Sequence, residues 1–314
     1  MTEAELISLL RGSATDSAAR NLDDDVAVLP IGDDSFVLTH DMIVEGVHYL
    51  PADPPADVAW KLLAVNLSDL AAKGAVPVGV LLGYMLGDDD WDRAFADGFS
   101  GALAAFGVPL LGGDTVAAPA GATRSLGLTA IGRYGGSPPS RAGARPGDLL
   151  WVTGSIGDSG LGLAILRGEL EGPEDLAERY RNPRPRLEAG QRLAPLVDAM
   201  MDVSDGLLID ASRMAHASRC RVRIELEAVP LSEAYLQTRG DGRDDRLAAS
   251  TSGDDYELLF AAAADDAAAI LNMAEEIGLP CSRIGRFEAG EGLVLTDHGE
   301  LMTLPETLGF EHRR

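Results

Sequence analysis

The sequence predicts two α/β domains, and three observations support that fold class. The chain has 314 residues, of which 46% are apolar, so it exceeds the usual domain size of ~100–200 residues and can bury a sizeable core. Strand-like apolar runs alternate with helical patterns in both halves. A stretch rich in Gly and Pro at residues 135–147 separates the halves, and such stretches are typical of linkers. We therefore expect domains at residues 1–145 and 146–314.

In the first domain, two strands and two helices are predicted. Short apolar runs predict strands at Ser35–Thr39 and Val78–Leu82. Helical spacing of apolar residues predicts helices at about Asp57–Lys73 and around Trp91–Phe106. The first of these helices is followed by Gly74, a common helix stop.

In the second domain, the predicted order is a strand, a Gly-rich turn into a helix, a second helix, a polar loop, a strand and a helix. The corresponding segments are Leu149–Thr153, Asp158–Leu166, the residues after Ser204, Thr238–Arg246, Tyr256–Phe260 and about Asp265–Ile277.

Composition excludes several functional classes. The formal net charge of −24 argues against a nucleic-acid partner, because such proteins need Lys and Arg to replace phosphate counterions. No run reaches the ~20 apolar residues of a membrane helix, and the N-terminus lacks a signal-peptide pattern. We therefore expect a cytoplasmic protein that does not engage a membrane. Cys220 and Cys281 are too few for a disulfide framework, so two reduced thiols are expected.

Aspartates beside apolar runs or glycines form the main functional signal. Such scattered carboxylates suit Mg²⁺, which takes one or two carboxylates together with substrate phosphate and water. A divalent cation would also let an acidic protein receive a polyanionic substrate. Any single Asp is equally common in turns and helix caps, so the inference rests on the group. Its members are Asp23, Asp24, Asp25, Asp41, Asp69, Asp114, Asp202, Asp205, Asp254 and Asp255.

Asp69 is the most informative of these acids, because its helix is apolar around most of its circumference, which indicates burial. A buried carboxylate needs a partner, and Asn66 lies on the same helical face. The alternative is an i,i+4 ion pair between Asp69 and Lys73 on a solvated edge.

Two Gly-rich segments follow predicted strands. Gly112–Thr115 predicts a tight turn where a ligand can approach the backbone, although an Asx-type turn is the alternative. Thr153–Gly162 joins a strand to a helix, a geometry that directs backbone N–H groups at an anion. Its Gly-Asp-Ser-Gly tetrapeptide does not favour a serine protease in a chain without disulfides. The chain has no P-loop motif and only two lysines, Lys61 and Lys73.

The segment after Met201 runs from a short apolar stretch into a helix. Ser204 is the expected N-cap, and the helix dipole favours Asp205 in the first turn. Asp202 precedes the cap by two residues and is free to face a metal.

Three further polar residues are candidates for ligand contact. Asp254 and Asp255 lie on a turn before a strand, where solvated turn acids are the alternative. His48 follows a strand-like run with a Gly that indicates a bulge or close backbone approach, although most lone histidines are structural.

Taken in order, the polar motifs form a series of eight that spans nearly the whole chain. They are Asp24-Asp25, Asp41-x₆-His48, Asn66-Leu-Ser-Asp-Leu-Ala-Ala72 with Gly74-Ala75, Gly112-Gly-Asp-Thr115, Arg141-x-Gly-x-x-Pro-Gly-Asp148, Thr153-Gly-x-x-Gly-Asp-Ser159, Asp202-x-Ser-Asp-Gly-Leu207 and Ser252-Gly-x-Asp-Tyr-Glu-Leu258. Each motif is weak alone, but the order and spacing are specific. The series resembles that of the thiamine-monophosphate kinases.

This resemblance implies the fold of the aminoimidazole-ribonucleotide synthetase superfamily. An N-terminal α/β domain would bind ATP and Mg²⁺ and form a homodimer through its sheet. A C-terminal α/β domain, with helices packed on a mixed sheet, would complete the active site. The implied enzyme is a thiamine-phosphate kinase that transfers the γ-phosphate of ATP to thiamine monophosphate, the last step of thiamine diphosphate biosynthesis. In-line transfer of this kind relies on positioning and charge neutralisation, with no nucleophilic side chain.

The resemblance also implies roles for individual residues. Contacts to several Mg²⁺ ions are implied for Asp24, Thr39, His40, Asp41, Asp69, Asp114, Asp202 and Asp205. Contacts to ATP are implied for Gly113, Asp114, Arg141 and Ser204. Contacts to thiamine monophosphate are implied for His48, Asp254 and Phe310.

The sequence departs from the family pattern in places. Asp23 stands where the family has Gly, and His40 stands where it has Thr, so only the backbone carbonyl of His40 is expected to serve a metal. The family often has Glu at the position of Asp254, and the C-terminus after Leu308 is abbreviated.

Two other functions remain open at this stage. One is a synthetase or selenide-dependent dikinase of the same superfamily, although dikinases need a reactive Cys near the N-terminus and the first cysteine here is Cys220. The other is a non-catalytic nucleotide-binding or hydrogenase-maturation-type module. That last type relies on a C-terminal cysteine, whereas this chain ends in Glu-His-Arg-Arg.

Overall fold

The structure is a computed structural model that describes residues 2–119 and 121–312. Each half of the chain forms its own sheet with helices packed against it, which confirms the predicted α/β fold class. Within the described residues, no helix is long and apolar enough to cross a membrane.

The N-terminal sheet has the strand order β1-β2-β5-β3-β4. Its strands pair antiparallel except for β3 and β4, which are parallel. The elements of this half are α1 (Glu3–Arg11), β1 (Ala27–Ile31), β2 (Asp34–Val44), α2 (Pro55–Ala71), β3 (Val76–Leu86), α3 (Asp89–Phe106), β4 (Leu110–Ala117) and β5 (Ser125–Gly135).

The C-terminal sheet is mixed and has the order β12-β11-β8-β10-β6-β9-β7, in which β8 and β11 are parallel. Its strands are β6 (Leu149–Thr153), β7 (Ala199–Asp202), β8 (Arg221–Glu225), β9 (Leu258–Ala262), β10 (Cys281–Glu288), β11 (Gly292–Asp297) and β12 (Glu300–Leu301). The helices of this half are α4 (Asp158–Leu166), α5 (Glu174–Arg181), α6 (Leu187–Leu193), α7 (Leu207–Ser218), α8 (Glu233–Thr238), α9 (Arg243–Thr251) and α10 (Ala267–Ile277).

Helix α2 lies at the centre of the molecule and is buried along most of its length. It packs on β2 and β5 of its own domain and on α5, α6 and β7 of the second domain. Contacts on both sides explain why its sequence is apolar around most of the helix. The approach of α6 is close, because a Cβ at Gly190 would lie 1.9 Å from the carbonyl oxygen of Ala71.

The N-terminal sheet exposes apolar side chains on the face that α2 and α3 do not cover. Strand β4 at the sheet edge is exposed along its whole length. The exposed apolar residues on this side are Leu29, Ile31, Met42, Val76, Val78, Leu81, Leu111 and Val116, and we call them the outer face of the sheet. Apolar patches of this kind mark interaction surfaces.

Most predicted elements of the second domain match the structure, and one does not. The strand Leu149–Thr153 and the helix Asp158–Leu166 have the predicted bounds. The polar loop predicted at Thr238–Arg246 is wrong, because this segment contains the end of α8 and the start of α9. Asp244 and Asp245 lie in the first turn of α9, where the helix dipole favours acids.

Candidate active site

A cavity of about 930 Å³ lies between the two domains. Its walls come from β2 and α2 of the first domain, and from residues 202–205, 251–256 and 309–312 of the second. Val65 and Asp69 of α2 contribute to the wall, so the central helix lines the cavity. Carboxylates gather near the C-terminal end of α2, and aromatic rings near its N-terminal end.

Three carboxylates from distant parts of the chain meet in this cavity. Oxygen atoms of Asp25, Asp69 and Asp202 all lie within 4.8 Å of one another, and we call these residues the acid cluster. Asp69 is supplied by α2 and Asp202 by the end of β7, and both are buried. Asp41 on β2 lines the same cavity.

The electrostatics of the acid cluster favour a bound cation. Burial, followed by the charges of Asp41 and Asp202, raises the pKa of Asp69 well above its ordinary value. Burial and the charge of Asp25 raise the pKa of Asp202 to about 7 and that of Asp41 to about 6. A divalent cation bound among these oxygens would offset both the burial of the carboxylates and the repulsion between their charges. The all-oxygen donor set is the kind that Mg²⁺ prefers, so these residues fit that ion.

The partner of Asp69 is Thr39, whose hydroxyl donates a hydrogen bond to the Asp69 carboxylate. The ion pair between Asp69 and Lys73 does not form, because Lys73 Nζ bonds Asp24 at 2.6 Å instead. The alternative interpretation of Asp69 as a solvated helix acid is therefore wrong. Thr39 contacts the cluster through its side chain and is buried.

Two other residues of α2 form hydrogen bonds with Asp202 and Asp41, which line the cavity. The Ser68 hydroxyl donates to Asp202 Oδ2 at 2.5 Å. The backbone N–H of Asp41 donates to Asn66 Oδ1 at 3.0 Å. Two polar positions on a buried helix thus fix acids from both domains.

The structure does not bring Asp24 into the acid cluster. Its Oδ1 accepts from Lys73, and its Oδ2 accepts from Arg20 at 2.5 Å and from Ser140 at 3.1 Å. Burial raises the pKa of Asp24, but the charge and hydrogen bond of Lys73 outweigh it and bring the value to about 2. Its neighbour Asp25 lies in the acid cluster instead.

Arg141 and His40 lie beside the cluster without belonging to it. The Arg141 guanidinium forms an ion pair with Asp25. His40 lines the cavity, and its Nδ1 is 2.8 Å from the hydroxyl oxygen of Thr129 on β5. Its ring is therefore engaged by the sheet, as expected if only its backbone serves a metal.

Ser204 and Asp205 line the cavity just before α7. Ser204 is not the N-cap as predicted, because the helix begins at Leu207 after Gly206. The backbone N–H groups of Ser204 and Asp205 both donate to Asp210 Oδ2 at 3.1 Å. Buried Asp210 thus fixes the turn that precedes α7.

Gly113 and Asp114 lie on β4, away from the acid cluster. Their segment is extended strand, so the predicted tight turn is wrong. Asp41 pairs with Leu128 on β5. Leu128 pairs with Leu82 on β3, and Leu82 pairs with Gly113. Three strand spacings separate Asp41 from Gly113, which is roughly 14 Å.

The other end of the cavity carries rings and one acid. We call it the aromatic end, and its residues are His48, Tyr180, Asp254, Phe310 and His312. The rings of His48 and His312 are 5.3 Å apart, and Phe310 meets His312 edge-on at 4.9 Å. The backbone N–H of Phe310 donates to the carbonyl oxygen of Asp205 at 2.8 Å, which holds the C-terminal segment over the cavity.

His48 is an acceptor at Nδ1, where it receives the Val44 N–H at 3.1 Å. Burial lowers its pKa from 6.5, so the ring is neutral at pH 7 and Nε2 carries the proton. This nitrogen is therefore a hydrogen-bond donor.

The Gly-rich segment Thr153–Gly162 binds a carboxyl group that belongs to the protein. The Gly157 N–H donates to both oxygens of Asp255, at 2.9 and 3.1 Å. Asp255 is partly buried, and burial raises its pKa well above its ordinary value. The interpretation of Asp255 as a solvated turn acid is therefore wrong.

Comparisons with known proteins identify the family of this chain. Residues 23–134 match the family model AIR synthase related protein, N-terminal domain, and residues 145–298 match AIR synthase related protein, C-terminal domain. A thiamine-monophosphate kinase of Caulobacter vibrioides is 41% identical over 311 residues, covering 95% of this chain and 86% of the relative. The chain belongs to the thiamine-monophosphate kinase family. The predicted family and enzyme class are thereby confirmed.

Solved structures extend the likeness to the fold. The crystal structure of thiamine-monophosphate kinase from Stenotrophomonas maltophilia K279a is 36% identical with a TM-score of 0.78, covering 95% of this chain and 96% of that one. The structure of AaThiL complexed with AMPPCP and TMP is 28% identical with a TM-score of 0.85, covering 99% and 97%.

Sequence reasoning missed the role of the lysines in this kinase. Lys61 lies on α2 and Lys73 just after it, both are buried, and each binds an Asp of the cavity region: Lys61 binds Asp254 and Lys73 binds Asp24. A signal was available, because these are the chain's only lysines, and one lies within an apolar helix and the other just after it. Buried lysines need an acidic partner.

Proposed function

We propose that this kinase transfers the γ-phosphate of ATP to thiamine monophosphate and forms thiamine diphosphate and ADP. The observation that carries the proposal is one cavity with the acid cluster near Asp69 and the aromatic end near Lys61. These two positions on α2 are eight residues apart, which is about 12 Å of helix. The AMPPCP and TMP bound in the related AaThiL structure support a nucleotide and an acceptor as the two ligands.

The acid cluster would hold Mg²⁺ together with Asp41 and Asp205. The ion supplies neutralisation of phosphate charge when bound. We assign the ligand position in the first motif to Asp25 rather than Asp24, because Lys73 and Arg20 already neutralise Asp24. Thr39 would act by orienting Asp69 through its hydroxyl.

Arg141 and Ser204 would bind the nucleotide. Arg141 stands beside Asp25, where a guanidinium can pair with phosphate oxygens. Ser204 lines the cavity on a turn that Asp210 fixes through a backbone hydrogen bond.

In the reaction, a phosphate oxygen of the acceptor forms a bond to the γ-phosphorus while the bond to the β-phosphate oxygen of the leaving ADP breaks. The attacking oxygen is already anionic at neutral pH, so no side chain has to remove a proton. The protein orients the two phosphates and neutralises their repulsion.

The aromatic end suits the organic part of the acceptor. Thiazolium is an aromatic cation, and the Asp254 carboxylate with the Phe310 ring offers charge and a π face. Neutral His48 can donate from Nε2 without adding a positive charge beside the cation. Asp254 and Phe310 both line the cavity.

We further propose a homodimer that buries the outer face of the sheet. Support comes from its exposed apolar residues, such as Leu81, Leu111 and Val116. A dimer would also explain Gly113 and Asp114, which lie roughly 14 Å from Asp41 in their own chain. In this arrangement Asp114 acts in the site of the other protomer.

The direct test is product analysis with ATP, Mg²⁺ and thiamine monophosphate, with free thiamine and aminoimidazole precursors as comparison substrates. We expect thiamine diphosphate and ADP in equal amounts, and only with the monophosphate. Turnover that does not depend on thiamine monophosphate would overturn the proposal. Preference for an aminoimidazole precursor would support the synthetase alternative instead.

A further inference from the structure

Lys61 is a buried lysine whose ammonium group faces the aromatic end of the cavity. The residue is 1% exposed. Its Nζ lies 2.8 Å from Asp254 Oδ2 and 3.7 Å from the centre of the Tyr180 ring. A buried ammonium is costly unless it is paired, and here the acid and the ring face together satisfy it.

Asp254 occupies a conformation that its surroundings must hold. Its φ is +67°, a left-handed region that few residues other than Gly adopt. Lys61 binds one carboxylate oxygen, and the Tyr256 hydroxyl donates to the other at 3.0 Å. The side chain is still 27% exposed and lines the cavity, so a ligand can reach it.

Lys61 also supports the wall that carries His48. The Tyr180 ring that receives the ammonium group belongs to α5 of the second domain. Its hydroxyl donates to the carbonyl oxygen of His48, in the first domain, at 3.2 Å. The contacts of Lys61 therefore link α2, α5 and the turn before β9 across the domain interface.

The same stripe of α2 carries both ends of the cavity. Lys61, Val65 and Asp69 are spaced i, i+4 and i+8, so they lie on one helical face, and Val65 lines the cavity between the other two. A rigid helix therefore sets the separation between the acid cluster and Asp254, with Lys61 as the connection to Asp254.

We propose that Lys61 is a positioning residue for the acceptor substrate and acts through Asp254. It holds the Asp254 carboxylate in its left-handed conformation, at a fixed distance from the acid cluster. An aromatic cation that carries a phosphate then meets the carboxylate with one part and the transfer site with the other. This inference rests on the proposed function, which puts the acceptor beside Asp254.

The test compares Lys61→Met with Arg181→Met, a matched control. Arg181 on α5 pairs with buried Asp53 at 2.9 Å, so this ion pair also joins the two domains. Among the described residues, neither Arg181 nor Asp53 lines the cavity. For each variant, isothermal titration with thiamine monophosphate gives Kd, steady-state kinetics give KM and kcat, and thermal unfolding reports folding.

We expect Lys61→Met to raise the Kd and KM for thiamine monophosphate about tenfold, because the acceptor loses a fixed contact. The KM for ATP should change by less than about twofold, because the acid cluster is intact. Arg181→Met should lower the melting temperature but leave the acceptor constants unchanged. Equal acceptor constants in wild type and Lys61→Met, or equal increases in both variants, would overturn the inference.

A double-mutant cycle with Asp254→Asn tests whether Lys61 acts through Asp254. If Lys61 acts through Asp254, adding Lys61→Met to Asp254→Asn causes no further increase in Kd. A full tenfold increase in that background would contradict it. Wild-type protein that neither binds nor phosphorylates thiamine monophosphate would overturn the proposed function and this inference together. Wild-type binding that Lys61→Met retains would overturn this inference alone.

Discussion

Asp24 lies next to Asp25 in the sequence and close to the acid cluster in space, but its carboxylate has the opposite surroundings. Asp24 accepts from Lys73 and Arg20, and its pKa falls to about 2. Asp202 lies among other acids, and burial with the charge of Asp25 raises its pKa to about 7. Burial alone therefore does not identify a metal ligand. The charge of the neighbours decides whether the protein or an added cation completes the site.

The largest expected effect is on turnover, and it comes from substituting Asp69 in the acid cluster. Asp69→Asn should reduce turnover by ~10²–10³-fold, because a charged contact to the phosphate-neutralising ion is lost. The metal-free variant should be at least as stable as wild type, because repulsion within the cluster decreases and an Asn oxygen still accepts from Thr39. Steady-state kinetics and calorimetry in chelator measure both.

Asp24→Asn is the matched control, and its main effect should be on stability. It leaves Lys73 buried without its acid, which should cost ~3–5 kcal/mol of unfolding free energy. Near-normal activity in folded Asp69→Asn, or a stability loss that is larger in Asp69→Asn than in Asp24→Asn, would contradict the comparison.

Mixed dimers test which protomer supplies Asp114 to the site that contains Asp69. If Asp114 acts across the dimer, chains with Asp69→Asn mixed equally with chains with Asp114→Asn restore one intact site in each mixed dimer. Random assembly should then return about 25% of wild-type activity. The measurement is activity after co-refolding, with the dimer fraction checked by light scattering. A mixture no more active than its components would assign Asp114 to its own chain.

The pH dependence expected of metal binding follows from the raised pKa values of Asp41 and Asp202. Folded metal-free protein keeps protons on Asp41 and Asp202 up to about pH 6 and 7, whereas unfolded protein releases them near the ordinary value of 3.8. The folded state binds more protons in this window, so metal-free stability falls as pH rises through it. Mg²⁺ competes with the same protons, so its stabilising effect should be larger at about pH 8 than at about pH 5.5.

Thermal unfolding with and without Mg²⁺ at both pH values checks this prediction. Asp69→Asn should show a smaller Mg²⁺ effect at the higher pH. A Mg²⁺ effect that does not depend on pH would remove the cluster carboxylates from metal binding.

The smallest effect concerns the aromatic end. Phe310→Ala should raise the KM for thiamine monophosphate by roughly threefold to tenfold with little change in kcat, because one ring face beside the cation is lost. Leu304→Ala is the control, since Leu304 is similarly exposed in the same C-terminal segment. Equal changes in the two variants would remove Phe310 from the acceptor site.

The fold was largely predictable from the sequence because its pattern is local. The strand Leu149–Thr153 is a short apolar run after a turn, and α4 follows a Gly-rich turn. The missed start of α9 shows where such reasoning fails. Its residues look like a polar loop, and the helix depends on tertiary contacts such as the bond from the Tyr235 hydroxyl to the carbonyl oxygen of Asp245.

The site was predictable as a set of motifs but not atom by atom. Adjacent acids such as Asp24 and Asp25 are equivalent in sequence, and only the position of Lys73, 49 residues from Asp24, distinguishes them. Asp114 illustrates another limit, since its distance from Asp41 depends on strand order. Neither feature follows from spacing along the chain.

In this account, acids that bind metal are separate from acids that are paired with lysines. The most direct test of this separation is an anomalous difference map from crystals grown with Mn²⁺ and AMPPCP. Mn²⁺ accepts the same oxygen ligands as Mg²⁺ and can be located without ambiguity. We predict a peak among Asp25, Asp69 and Asp202, and none at Asp24 or Asp254, whose carboxylates are held by Lys73 and Lys61. A peak at Asp24, or no peak within the acid cluster, would contradict the account.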